Sequence, residues 1–98
     1  MAKVVLTVQY EIKDEKREEY LATIEKMKSH LSSHPQVVYS VYEQKGKKNS
    51  FNEMFVSNSE GEYKQFEESD DEVADTLAQA IAEFSKDGKA RYSTFIER

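Results

Sequence analysis

The 98-residue sequence predicts one α+β domain, a four-stranded antiparallel sheet with helices on one face. Three observations predict it. Four stretches, Val4 to Ile12, Val37 to Gln44, Ser50 to Ser57 and Ala90 to Ile96, are rich in Val, Tyr, Phe and Ile with strand patterning. Two longer stretches, starting at Asp14 and Ser59, carry apolar residues at helical spacing. A Gly-containing turn, Lys45 to Asn49, joins the second and third strands as a hairpin, which gives the order β-α-β-β-α-β.

In the first strand, Val4, Leu6, Val8, Tyr10 and Ile12 share one face and Val5, Thr7, Gln9 and Glu11 the other. Asp14 is the expected N-cap of the first helix, and Glu15, Glu18 and Glu19 suit its dipole. Tyr20, Leu21, Ile24, Met27 and Leu31 make its apolar stripe. Pro35 disfavours helical geometry at His34, so the helix should end near Ser32 or Ser33. After the hairpin, Ser59 with Glu62 fits a capping box, and Ser69 with Glu72 fits a second. Together they predict a helical segment broken near Ser69, with Val73, Leu77, Ala80, Ile81 and Phe84 as its second apolar stripe. Gly88 is the expected terminator. This is the ferredoxin-like split arrangement, spanning residues 1–98 as a single domain.

Two helices cover only one face of such a sheet, yet the strands carry bulk on both. Phe51 and Phe55 oppose Met54 and Val56, Tyr92 and Ile96 oppose Phe95, and Val37, Tyr39 and Val41 oppose Val38 and Tyr42. Burying a large apolar side chain contributes about 1.5–3 kcal/mol, so a second copy packed sheet to sheet is the expected partner.

Composition narrows the partners further. Fourteen Lys and Arg against 19 Asp and Glu give a net charge of −5, which opposes the counterion release that drives nucleic-acid binding. No cysteine is present for disulfides, thiol nucleophiles or thiolate ligands. No run approaches the roughly 20 apolar residues of a membrane span, and the N-terminus leads into a strand, so a cytoplasmic protein is expected. The acidic run Glu67, Glu68, Asp70, Asp71 and Glu72 lacks the spacing and Gly of a calcium loop and reads as a solvated helix start, so no metal site is expected.

Glu53-Met54-Phe55, then Ser57 and a helix bearing Tyr63 and Phe66, resembles the antibiotic-biosynthesis-monooxygenase-like family of the dimeric α/β-barrel superfamily. Its members often carry Glu-x-Trp at the end of the third strand, then Ser or Asp and a short helix. The passage from first strand to first helix, Ile12 to Tyr20, is similar as well. The resemblance implies a pocket inside each protomer between sheet and helices. In some members that pocket oxidises phenolic polyketides with oxygen and no metal or flavin; others bind haem and degrade it. The haem-degrading branch has Asn on the first strand, Trp on the third and His on the following helix. Here those places hold Val8 or Gln9, Phe55, and Gln65 or Phe66, so no cofactor is expected.

The expectation is therefore a cofactor-independent monooxygenase-like protein for a small aromatic compound. Its alternative is a non-catalytic dimeric module of the same fold, with haem handling behind both. Tyr10, Tyr20, Phe55, Tyr63 and Phe66 are the expected substrate-binding residues. Glu53 and His30 are the candidate bases. Each has a plainer role: His30 sits near a helix C-terminus, where a cation is favourable, and Glu53 is expected to pair with Lys or Arg. Asn52 and Glu53 point to opposite faces, so one of them alone can reach a pocket.

Overall fold

The computed structural model describes residues 2–98. Its elements are β1 (Val4–Glu11), α1 (Arg17–Leu31), β2 (Val38–Glu43), β3 (Ser50–Ser57), α2 (Glu60–Glu68), α3 (Glu72–Phe84) and β4 (Arg91–Ile96), with 3-10 turns at Asp14–Lys16 and Lys86–Gly88. The strands form one sheet in the order β2-β3-β1-β4, with every neighbouring pair antiparallel. The predicted fold class is the observed one.

Alternation decides what faces what. Val8 pairs with Glu53 and Tyr92, and Glu53 with Val41, so these four residues form one row across the helix-covered face. Tyr20, Ile24, Met27 and Leu31 of α1 and Ile81 of α3 close over that face onto Val8, Tyr10, Ile12, Phe51 and Phe55. The apolar stripe of α1 predicts this contact, apart from Leu21, which is exposed.

Among the described residues, no helix covers the opposite face. Val38, Val56, Val5 and Phe95 are paired in a single row across all four strands, with Met54 one row further on. Val38 is 67% exposed and Phe95 57%.

Three boundary expectations are corrected. Asp14 begins a 3-10 turn and does not cap α1, whose N-cap is Lys16 with no side-chain bond. The Asp14 carboxylate instead accepts from Asn49 Nδ2 at 3.0 Å and faces Lys48 Nζ at 3.3 Å, tying the helix entry to the hairpin. Asn49 adopts a left-handed φ of 70°, which Asn tolerates better than most residues. Ser69 closes α2 and does not open α3: its hydroxyl donates to the Phe66 carbonyl, while Asp71 accepts from the Ala74 amide at 3.0 Å as the true cap. Gly88 lies beyond the end of α3, which stops at Phe84 with Ser85 as its C-cap. By contrast, Ser59 caps α2 as predicted, accepting from the Glu62 amide at 3.2 Å.

Candidate active site

A cavity of about 180 Å³ lies between the sheet and the helices. Leu6, Val8, Tyr10, Glu53 and Phe55 form its sheet side, Met27 closes one end from α1, and Ala78, Ile81 and Ala82 form the α3 wall. Tyr92, on the edge strand, is 70% exposed and also lines it, which puts the opening between α3 and β4.

Glu53 is the carboxylate that lines this cavity, and it is 6% exposed. It sits there because β3 alternates: Phe51, Glu53, Phe55 and Ser57 point inward and are buried, leaving Asn52 and Met54 on the open face. Among the described residues no cation pairs with Glu53, so the expected Lys or Arg partner is absent and its neighbours are phenols. The Tyr39 hydroxyl donates to Glu53 Oε2. Tyr10 stands beside it and shares a 2.7 Å hydroxyl–hydroxyl hydrogen bond with Tyr20, which is fully buried.

Burial pushes the Glu53 carboxyl above its ordinary value, and hydrogen bonding from Tyr39 and then Tyr10 opposes that rise. The phenols are held neutral. Burial raises Tyr10, Tyr39 and Tyr20, and the nearby Glu53 charge raises them further. A carboxylate with a raised pKa and hydrogen-bond donors at its back can take a proton from an acidic ligand; neutral phenols beside it can orient one.

The predicted binding residues separate into groups. Tyr10 and Phe55 line the cavity. Tyr20 acts behind Tyr10 through the shared hydrogen bond and packs on Phe51, with ring centroids 4.5 Å apart. Phe66 backs Phe55 at a centroid distance of 5.7 Å. Tyr63 does not line the cavity and donates to Glu67 on the surface of α2. The structure therefore does not bring Tyr63 to the other aromatics. Nor does it bring His30 to Glu53: His30 lies outside the cavity lining, with its Nε2 2.7 Å from Asp71 Oδ2.

Sequence reasoning did not single out Tyr39 or Met27 for this site. Tyr39 was readable as an inward residue of β2, but its reach to Glu53 depends on the β2–β3 register, which places Tyr39 opposite Phe55 and one inward step from Glu53. Met27 belongs to the α1 stripe, and its place in the cavity lining follows from how α1 packs on the sheet.

The fold and cavity define a ferredoxin-like α+β protein with a buried carboxylate among aromatics. No protein-family profile matches the chain, and no curated protein matches it in sequence. Solved structures do match in fold. A conserved protein from Methanosarcina mazei Go1 superposes with a TM-score of 0.86 at 14% identity, covering 100% of this chain and 95% of that one. SnoaB, a cofactor-independent oxygenase from Streptomyces nogalater, matches at TM-score 0.78 and 13% identity, covering 100% and 95%. A structure described as an antibiotic biosynthesis monooxygenase matches at 0.72 and 14%, covering 100% and 97%. The chain has the fold of these three structures.

Proposed function

We propose that this protein oxidises a small phenolic compound with dioxygen, using Glu53 as the base and no cofactor. The observation that carries the reading is the buried Glu53 carboxylate facing a cavity beside Tyr10 and Phe55. The fold shared with a cofactor-independent oxygenase supports it.

The chemistry needs little from the protein. Glu53 accepts the hydroxyl proton of the bound phenol, leaving an electron-rich phenolate that donates electrons to dioxygen. A carbon–oxygen bond forms at the para carbon, which loses its hydrogen; the O–O bond breaks and the second oxygen leaves as water. One phenol and one dioxygen thus give one quinone and one water. Tyr10 and Tyr39 hold the carboxylate in place, and Phe55 and Ile81 keep bulk water from the ring. An apolar cavity of about 150 Å³ admits benzene, so this one suits a single-ring substrate better than a fused polyketide.

The working unit in this proposal is a homodimer joined through the open sheet face, where Val38, Val56, Val5 and Phe95 form their row. That face stays away from the cavity and leaves the α3–β4 opening on the other side of the sheet.

An oxygen-electrode series with single-ring phenols unsubstituted at the para carbon tests the activity, with the uncatalysed rate subtracted. Turnover by the wild type that Glu53→Gln lowers at least about 100-fold is the expected result. Silence across the series, or equal rates in the variant, would count against it. His30→Ala should leave the rate within about twofold, because His30 does not line the cavity.

A further inference from the structure

A second group of side chains gathers where the end of α1 meets the start of α3, outside the cavity lining. Asp71 Oδ2 lies 2.7 Å from His30 Nε2 and 3.1 Å from His34 Nε2. The two imidazoles come from different backbone settings, the last turn of α1 and the loop before Pro35, with ring centroids 5.3 Å apart. Both nonetheless direct Nε2 at the same carboxylate, His34 at Oδ2 and His30 at both oxygens, with Oδ1 at 2.9 Å. One ligand atom from each of the three residues falls within 4.8 Å of the other two.

We propose that His30, His34 and Asp71 form a binding site for one divalent cation of the zinc class. Two imidazole nitrogens and a carboxylate oxygen are a donor set suited to zinc, cobalt or nickel, and unsuited to calcium or magnesium, which take oxygen ligands. Tetrahedral donors at zinc bond lengths stand roughly 3.3 Å apart, so the 2.7 and 3.1 Å spacings to Asp71 need to open by about 0.6 and 0.2 Å. The Ala74 amide donates to Asp71 Oδ1 at 3.0 Å. That bond fixes the carboxylate from behind and leaves Oδ2 to the metal, as a supporting hydrogen bond does in established metal sites. The side chains of His30, His34 and Asp71 are 27%, 24% and 16% exposed, so an ion enters from solvent and keeps an open fourth position for water.

The site joins the C-terminal end of α1 to the N-terminal end of α3. Because α3 supplies Ala78, Ile81 and Ala82 to the cavity wall, a bound ion fixes that wall against α1. The role is structural, and it stands whether or not the cavity is catalytic.

Calorimetric titration of untagged, chelator-treated protein with zinc chloride is the direct test, paired with thermal unfolding. The proposal expects about one equivalent bound per chain and a midpoint raised by roughly 10 °C at a hundredfold excess over Kd. His34→Ala sits in a loop and leaves the fold intact, and Asp71→Ser keeps a capping oxygen on α3. Each should weaken zinc on the order of 100-fold while its metal-free midpoint stays within a few degrees of wild type. No binding by the wild type overturns the proposal. So does unchanged binding in either variant, since all three residues are assigned as ligands.

Discussion

Glu53 carries the central tension of the molecule. A strand flanked in register by Val8 and Val41 is a costly place for a carboxylate, and burial raises its pKa accordingly. An acid whose folded pKa exceeds its unfolded one stabilises the fold fully below the unfolded value, here near 4.5, and that stability is lost as pH rises through the folded value. Glu53→Gln removes the ionisation. Its unfolding midpoint is therefore expected to exceed that of the wild type at pH 7 and above, with the gap narrowing toward pH 4.5; a gap independent of pH contradicts the assignment. Glu43 behaves in the opposite sense. Arg17 binds it through two contacts of 2.6 and 2.8 Å and the Asn49 amide adds a third, which bring it down to about 2. Its contribution is present above the ordinary Glu value and lost as pH falls through that lowered one.

At the scale of elements, alternation and capping explain most of what was legible. Period-two patterning places Glu53 and Asn52 on opposite faces and sets Phe51 and Phe55 against Met54 and Val56; the structure puts both phenylalanines inside. The Ser59 cap is local, so the sequence shows it: the acceptor and its donor are three residues apart. Ser59→Ala should cost about 1 kcal/mol, read as a midpoint lowered by roughly 4–8 °C, and no change would mean α2 contributes little to stability. Features set by packing were not legible. Asp71 caps α3 in place of Ser69 because its carboxylate also meets His30, 41 residues away in sequence. The two histidines read singly as a helix-end cation and a turn residue; their convergence depends on α1 lying against α3. Tyr39 reaches Glu53 for a reason of the same kind, the strand register.

For the whole molecule, the two sheet faces divide the work. One carries the core and the cavity; the other presents an apolar row that no element among the described residues covers. Charge is kept off this row while the chain as a whole carries −5, which suits a surface that meets a second copy. Light scattering at micromolar concentration should give twice the chain mass, and Phe95→Arg should shift it to monomer, because an arginine in the middle of two packed sheets leaves a charge unpaired. A wild-type monomer would remove the dimer from the account. Among the described residues no helix is long and apolar enough to cross a membrane.

All of this converges on whether the Glu53 cavity moves a proton. The most direct measurement is the pH dependence of kcat/KM for a single-ring phenol, taken on wild type and Glu53→Gln under identical oxygen tension. A base with a raised pKa predicts a rate that climbs through one ionisation above the ordinary carboxylate range in the wild type, and the loss of that limb in the variant. Superimposable profiles for the two proteins would contradict the account.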